Sequence, residues 1–200
     1  MAKDPKALFN IGYGLYVLTA KGERDNGCIV NSVMQLTSRP ERIAVTVNKS
    51  NYTYQLIRQS GLLNISVLTE DAPFSLFQRF GFQSGRDVDK FEGFDLWRTE
   101  NGVAALTGEF CNSVISLKVS DHIDLDTHGM FICEVTESAV LMPRPTMTYA
   151  YYHAHVKPKP EAKQTGWVCK ICGYKYEGEE LPADFVCPWC KHGPEDFEKL

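Results

Sequence analysis

The chain has 200 residues and a formal net charge of −4; 44% of its residues are hydrophobic and 12% are aromatic. This length and composition allow one large domain, or one domain with a smaller one, and are sufficient for a packed core. The acidic balance argues against a nucleic-acid-binding protein. The N-terminus has no apolar signal core, and no apolar run approaches the roughly eighteen residues that span a bilayer, so we expect a cytoplasmic protein without a membrane segment.

Most of the chain is predicted to form short strands. Runs rich in Val, Ile, Leu, Tyr and Thr lie between turn residues, which is the pattern of strands. They occur at 9–20, 28–30, 42–47, 62–68, 114–119 and 130–135, with a polar but strand-like segment at 31–40 and a short apolar run at 104–107.

Two helices are predicted among these strands. Residues 48–51 offer N-cap side chains before a helix at 52–60, and Gly61 is a natural residue to end it. A second helix opens near Pro73, with phenylalanines at 74, 77 and 80 on one face. Strands and helices do not alternate regularly, so we predict a mainly β fold: a barrel with a few helices covering an end.

The composition changes near residue 157. Residues 157–166 contain prolines and charges but no large apolar side chain, which is typical of a linker. We therefore predict a domain at 1–156, a linker at 157–166 that spans on the order of 20–30 Å, and a small domain at 167–200.

The small domain carries a strong metal-binding motif. Cys169 and Cys172 form one C-x2-C pair, Cys187 and Cys190 form a second, and fourteen residues separate the pairs. Each pair, which we call a knuckle, can hold an ion from a tight turn, and four thiolates can close tetrahedrally around it. A tetrahedral sulfur site suits zinc or iron, so both a structural zinc ribbon and a one-electron carrier remain open.

The residues around the knuckles resemble the rubredoxin family. The resemblance covers about the last 35 residues and rests on both knuckles, on Trp167, on the Gly173-Tyr174 pair, and on the ending Gly-Pro-Glu-Asp-Phe-Glu at 193–198. The insert between the knuckles is shorter than in free-standing rubredoxins and is similar to rubredoxin modules fused to other redox proteins. The resemblance implies one iron ion held by the four cysteines, with zinc as a substitute.

A second candidate site lies in the first domain. No G-x-G-x-x-G fingerprint is present, so a Rossmann NAD site is not expected. Polar side chains at 31–38 and 48–53 offer donors to a phosphate and to the edge of a heterocycle, and the predicted helix adds its N-terminal dipole. The candidates are Asn31, Ser32, Gln35, Thr37, Lys49, Ser50, Asn51 and Thr53. From spacing alone, a simple solvated strand face remains the alternative.

The same stretch is similar to the FMN-binding split-barrel flavin reductase family. The similarity covers roughly residues 8–155 and rests on 27–40, 45–53 and 64–70. It implies that the segment after Asn31-Ser32, including Val33, cradles FMN, and that the turn from Asn48 to Ser50 holds its phosphate. It also implies a six-stranded barrel that is usually a homodimer. The domain order resembles the high-molecular-weight rubredoxins.

Several other residues are weaker candidates. Arg86 follows Ser84-Gly85 and is placed to approach a phosphate or an incoming nucleotide, although an exposed loop arginine is an equal alternative. His153 is a candidate to lie over the flavin or the nicotinamide, whereas a lone histidine is more often packed or solvated. His122 and His128 flank acidic residues, and loop polarity explains them better than a metal site. Cys28, Cys111 and Cys133 are expected to be ordinary thiols.

The combined resemblance implies an electron-transfer oxidoreductase. Electrons would pass from NAD(P)H to FMN, from FMN to iron, and from iron to a partner, which in the resembling family is a flavodiiron protein that reduces oxygen or nitric oxide. Two alternatives remain. One is a plain flavin reductase with a structural zinc ribbon, and the other is a non-enzymatic carrier that another flavoprotein reduces.

Overall fold

The computed structural model describes residues 3–158 and 166–200. Seven strands form the main sheet of the first domain, and two short strands pair beside it. The main sheet consists of β1 (Tyr16–Lys21), β2 (Asp25–Val30), β3 (Val33–Ser38), β4 (Glu41–Asn48), β5 (Leu62–Leu68), β8 (Cys111–Leu125) and β9 (His128–Val140). The additional pair is β6 (Leu96–Arg98) with β7 (Ala104–Leu106).

The order of strands in the main sheet shows that the sheet curls into a split barrel. The order is β2-β1-β5-β8-β9-β4-β3, so consecutive strands β2 and β3 lie at opposite edges. Only Asn31 and Ser32 connect these strands, and Ser32 O accepts a hydrogen bond from Thr46 N of β4 at 3.0 Å. Two residues can join the two edges only if the edges meet, so the barrel has a seam at Asn31-Ser32.

The longest pairing joins β8 and β9, which form one antiparallel hairpin. It extends well beyond the predicted strands at 114–119 and 130–135. The sequence did not predict its outer half, because the residues there are polar and exposed. Strand β4 lies against β9, and β5 lies against β8. The hairpin therefore forms the middle of the sheet.

Helix α1 (Tyr52–Ser60) has the predicted bounds. Gly61 follows it with φ 69°, a left-handed conformation that glycine adopts readily, and donates its N–H to Ile57 O at 2.8 Å. The second predicted helix is short. It comprises α2 (Phe74–Phe77), which continues as a π-helical turn at Gln78–Phe82.

Two apolar clusters form the core of the first domain. One fills the barrel under α1 and includes Leu18, Val45 and Phe131. The other packs the second helix against the barrel and includes Phe77, Phe80 and Met147. The same end of the barrel carries α3 (Tyr149–Tyr151), which continues as a π-helical turn at Tyr152–Val156.

Three details differ from the sequence predictions. The segment 9–20 is not one strand: residues Pro5–Asn10 form a 3-10 helix, and the strand begins only at Tyr16. The main sheet has seven strands rather than the six that the resemblance implies, because residues 25–38 form two strands at its two edges. The strand at 96–98 was missed because its three residues are too few to show alternation.

The second domain is built on a small sheet of β10 (Trp167–Cys169), β11 (Lys175–Tyr176) and β12 (Phe197–Lys199), with a 3-10 turn at Pro194–Asp196. Most of the predicted linker, residues 159–165, lies outside the described residues. Among the described residues, no helix is long and apolar enough to cross a membrane.

Candidate metal centre and flavin site

The four predicted cysteine ligands converge on one point. Their Sγ atoms all lie within 4.8 Å of one another, and each cysteine is at most 3% exposed. The Sγ atoms of Cys169 and Cys190 are 3.6 Å apart, and those of Cys172 and Cys187 are 3.5 Å apart. A tetrahedral ion with metal–sulfur bonds of about 2.3 Å requires sulfur–sulfur distances of about 3.8 Å. The residues present therefore fit a single tetrahedral ion.

The two knuckles have the same backbone turn. Gly173 N donates to Cys169 O at 2.8 Å, and Lys191 N donates to Cys187 O at 2.9 Å. The residue after each second cysteine has a left-handed backbone, with φ 81° at Gly173 and 64° at Lys191. This conformation turns the chain sharply enough for both sulfurs of a pair to face one ion, and glycine meets the requirement without strain at the first knuckle.

Aromatic rings surround the sulfurs and exclude water. They include Tyr174, Phe185, Trp189 and Phe197. Burial raises the pKa of the Cys190 thiol to about 12 and also raises that of Cys172. Thiolates in such a setting need a bound cation to offset the loss of water, so the donor set is suited to a metal and not to free thiolates.

The predicted flavin segment begins at the seam of the barrel. Asn31 and Ser32 lie there half-buried, and their side chains are joined by a 3.0 Å hydrogen bond. Because β3 runs antiparallel to β4, its start lies beside the end of β4, where Asn48 is found. The structure therefore brings the two ends of the predicted site together at the seam.

Gln35 and Thr37 lie farther along β3, which is an exposed edge strand. From Asn31 to Thr37 the chain covers about 20 Å at 3.3 Å per residue. Gln35 and Val33 line a cavity of about 600 Å³ beside the strand, together with apolar residues of β4, β5, β8 and β9. Thr37 faces the hairpin that follows β3, where its hydroxyl donates to Pro40 O.

Residues 48–51 form a compact turn at the N-terminus of α1. Asn48 Oδ1 accepts from both the backbone N and the hydroxyl of Ser50, at 2.9 and 2.8 Å. Asn51 is the N-cap residue, yet its side chain makes no capping hydrogen bond. Tyr54 N donates to Asn51 O at 3.1 Å, whereas the N–H groups of Tyr52 and Thr53 precede the first carbonyl that the helix can offer them, so this end of α1 can receive an anion.

Lys49 is tied to the tip of the long hairpin. Its Nζ lies 2.6 Å from Asp124 Oδ1, and its backbone N donates to Thr127 O at 3.1 Å. The lysine side chain is 30% exposed, so the cation is available at the surface of the turn. The bond to Lys49 is the main reason why the pKa of Asp124 is lowered.

Arg86 is brought to the first turn of α1. Its guanidinium lies 4.9 Å from the ring centre of Tyr52 and donates to Gln55 Oε1 at 3.0 Å. Arg86, Tyr52 and Arg24 line an open cavity of about 650 Å³. Thr53 is different: it is buried, and its hydroxyl accepts from Asn26 Nδ2 at 2.9 Å, away from the surface of the turn.

His153 lies in a separate cavity of about 270 Å³, whose lining also includes Tyr149, Tyr152 and Ile171. Burial, with a contribution from the positive charge of Lys157, lowers the pKa of His153. The cavity lies between the end of the barrel and the first knuckle. His153 is therefore not grouped with the turn at 48–51.

The other histidine candidates have structural partners. His122 hydrogen-bonds with the hydroxyl of Tyr54 at 3.1 Å and packs on Phe131. His128 contacts the hydroxyl of Thr127 at 2.9 Å. Within residues 3–158 and 166–200, the four cysteines are the only cluster with metal-ligand geometry.

Comparisons with known proteins agree with this architecture. A family model described as flavin reductase like domain matches residues 8–181, and one described as rubrerythrin, rubredoxin-like domain matches residues 167–198. The chain belongs to the flavin reductase-like family. Its C-terminal domain is rubredoxin-like, and the two matches overlap at the first knuckle.

One relative of this flavin reductase-like protein matches nearly the whole chain, and two others match between 70% and 78% of it. It is 36% identical to the high molecular weight rubredoxin of Moorella thermoacetica, over 98% of this chain and 100% of the relative, which confirms the predicted pairing of domains. It is 38% identical to the ferric-chelate reductase (NAD(P)H) of Archaeoglobus fulgidus, over 78% of this chain and 92% of the relative. The crystal structure of flavoredoxin from Methanosarcina acetivorans shares the fold, with a TM-score of 0.63 and 20% identity over 70% of this chain and 75% of that one.

The sequence did not point to two features of this flavin reductase-like domain. Lys90 is only 4% exposed, and its Nζ donates to Gly27 O at 2.9 Å and to Phe80 O at 3.3 Å. A lysine between aspartate and phenylalanine shows no sign of burial in the sequence. Arg24 was also missed; it donates to the carbonyl oxygens of Gly85 and Arg86, which fixes the loop that carries Arg86.

Proposed function

We propose that this flavin reductase-like protein transfers electrons from NAD(P)H through bound FMN to one iron ion in its rubredoxin-like domain, and then to a redox partner. The observation that carries the proposal is the presence, on one chain, of a flavin reductase-like barrel and four converging cysteine sulfurs. When bound, the flavin supplies hydride acceptance and the iron supplies one-electron transfer. The protein supplies position, charge and the exclusion of water.

The turn at 48–51 is proposed to hold the flavin phosphate. Lys49 offers a cation, Ser50 offers a hydroxyl, and the N-terminus of α1 offers backbone N–H groups that Asn51 leaves uncapped. Arg86 lies over Tyr52 at the same helix end and is proposed to add a second positive charge. These groups favour a dianionic phosphate over a neutral ligand.

The ring system is proposed to lie along the first part of β3. Asn31, Ser32 and Gln35 supply hydrogen-bonding groups there, and Val33 supplies an apolar contact beside the 600 Å³ cavity. Thr37 marks the far end of the segment. His153 is proposed to face the nicotinamide side, because it lies in the cavity at the covered end of the barrel.

A homodimer is also proposed. The edge strand β3 leaves Met34 59% exposed and Leu36 40% exposed, and exposed apolar side chains are unusual on an edge strand that faces only water. A second copy on this edge would cover both side chains.

A flavodiiron protein is the proposed electron acceptor, on the basis of the resemblance to the high-molecular-weight rubredoxins.

An anaerobic titration with NADH, followed by visible spectroscopy and combined with metal analysis, tests the relay. We expect one iron per chain and bleaching of both the flavin and the ferric–thiolate bands. Cys172→Ser should retain flavin bleaching and lose electron delivery to an acceptor, whereas Cys133→Ala, a buried barrel control, should retain both.

Three outcomes would contradict the relay. Flavin bands with zinc in place of iron, in protein expressed with iron available, would support a structural zinc ribbon. Absence of NADH and NADPH oxidation, with reduction by another flavoprotein, would support a non-enzymatic carrier. Unchanged delivery by Cys172→Ser would remove the iron from the route.

A further inference from the structure

The small domain is packed against the barrel of the same chain through both knuckles. Phe82, in the π-helical turn of the barrel, belongs to the apolar cluster around the four cysteines. The ring of Phe74 meets the indole of Trp189 edge-on, with centroids 5.0 Å apart, and Trp189 directly precedes the ligand Cys190. Aromatic contacts therefore connect the barrel with the residues around the metal centre.

A third contact lies beside this aromatic pair. Ile171, between the two cysteines of the first knuckle, lines the 270 Å³ cavity together with Tyr152 of the barrel. Lys157 Nζ lies 4.0 Å from the position that a Cβ atom on Gly173 would take. We call the barrel residues Phe74, Phe82 and Tyr152 the knuckle seat.

The knuckle seat lies close to the start of the proposed flavin segment. Ile29 of β2 lines the same cavity as Tyr152 and Ile171, and it precedes Asn31 by two residues. Lys157 begins the predicted linker and is itself part of the cavity lining. The linker therefore starts at the seat, so the seat of the same chain lies within its reach.

We propose that the knuckle seat is a docking surface in cis, on which the rubredoxin-like domain receives electrons from the barrel of its own chain. The inference rests on the proposed relay and specifies which barrel serves which iron. A flavin that has accepted a hydride carries two electrons. Two reductions of ferric to ferrous ion, with one proton released to water, balance its reoxidation.

The test measures electron transfer to iron without the nicotinamide step. The flavin of the full-length holoprotein is photoreduced anaerobically by a flash, and bleaching of the ferric bands is followed over a range of protein concentrations. We expect a first-order rate that does not depend on concentration. Phe74→Ala should slow it about tenfold, because the docked population loses an aromatic contact and its buried area.

Phe110→Ala is the matched control. Phe110 is also a half-buried phenylalanine that packs on the same barrel cluster as Phe74, but its aromatic partner is Phe94 and not Trp189. We expect it to leave the rate unchanged. Phe74→Leu keeps most of the apolar packing of the barrel and should give an intermediate rate, even if the alanine variant folds poorly.

Mixed dimers separate docking in cis from docking on a partner subunit. One subunit carries Phe74→Ala with intact cysteines, and the other carries an intact barrel with Cys172→Ser. Slow iron reduction in this mixture supports the seat in cis, and a wild-type rate overturns it. A rate proportional to concentration, or no effect of Phe74→Ala, also overturns it. Iron that is never reduced by photoreduced flavin in the wild type would instead contradict the relay itself.

Discussion

Lys90 donates from Nζ to the carbonyl oxygen of Gly27 at 2.9 Å, across 63 residues of the chain. A second bond, to Phe80 O at 3.3 Å, ties the same cation to the π-helical turn at Gln78–Phe82. The lysine therefore fastens β2, just before the seam, to the segment that carries Phe82 of the knuckle seat. Burial lowers its pKa to about 8, so the bonds to carbonyl oxygens offset only part of the lost hydration.

The first prediction is that Lys90 makes the free energy of unfolding increase with pH in the alkaline range. Its pKa is about 8 in the folded chain, against an ordinary value of 10.5. Between these values the unfolded chain binds more protons than the folded chain, so the contribution of Lys90 to the free energy of unfolding rises with pH. The rise should be about 3 kcal/mol at most, at 1.36 kcal/mol per pKa unit.

Urea denaturation of the wild type and of Lys90→Met at several pH values checks this prediction. The difference in unfolding free energy between the two proteins should increase from pH 7.5 to pH 10.5, since the titration of Cys111 and Cys133 is common to both. Lys118→Met, at an exposed position, should show a constant difference. A constant difference for Lys90→Met would mean that its charge is not penalised by burial.

The second prediction concerns flavin affinity. Lys49→Ala should raise the dissociation constant of FMN about tenfold or more, because a hydrogen bond to a charged group contributes about 1.5–3 kcal/mol. Quenching of flavin fluorescence on binding measures the change. Asp124→Asn is the control: it removes the salt bridge at 2.6 Å but keeps the cation.

The two variants distinguish a direct contact from a structural role of Lys49. If the lysine binds phosphate, Asp124→Asn should leave FMN affinity nearly unchanged, because the ion pair is exposed and the cation remains in place. Equal losses in both variants would mean that the pair only holds the turn in place. Unchanged affinity in Lys49→Ala would remove Lys49 from the site.

The third prediction is a count of reactive thiols. Cys111 and Cys133 are fully buried, and burial raises the pKa of each to about 12; Cys28 is 5% exposed and its pKa is also raised. The four metal-site cysteines are also buried, but a small metal domain loses its structure when the ion is removed. A thiol reagent at pH 8 should therefore modify no cysteine of the metal-loaded protein, four after metal removal, and all seven in denaturant. A fifth reactive thiol in the folded, metal-free protein would show that a barrel thiol is accessible.

The fourth prediction concerns the core behind the second helix. Phe80 is 1% exposed and meets Phe91 and Phe94 edge-on, with ring centroids 5.2 and 5.5 Å away. Phe80→Ala should lower the free energy of unfolding by about 3–5 kcal/mol, because a buried ring is replaced by a cavity. Ile123→Ala, at a residue that is 45% exposed, should change it by less than about 0.5 kcal/mol. Equal effects in urea denaturation would contradict the assignment of the core.

Local signals explain which features the sequence predicted well. Helix α1 and Gly61 are specified by a capping segment, an amphipathic run and a glycine, all within about a dozen residues. The metal site is specified by two tight turns and four thiols, so its geometry follows from the motif. In each case the information is contained in neighbouring residues.

Features that depend on distant parts of the chain were less predictable. The burial of Lys90 depends on two carbonyl oxygens supplied by β2 and by the π-helical turn. The outer half of β8 is polar and shows no buried alternation, because its partner β9, and not a core, holds it in place. The residue assignments at the flavin site, from Asn31 to Arg86, stay predictions, although the fold gathers the turn at 48–51, Tyr52 and Arg86 at one helix end.

The seam of the barrel has a mechanical consequence. At Asn31-Ser32 the two sheet edges are joined by covalent bonds, so Val30 and Val33 can separate by no more than about 10 Å, the reach of three residues. At the other end, Asp25 of β2 and Ser38 of β3 have no such tether. The opening between the edges of β2 and β3 can therefore widen only as a wedge with its apex at Asn31-Ser32. Loosening the barrel would change the angle of this wedge without moving its apex.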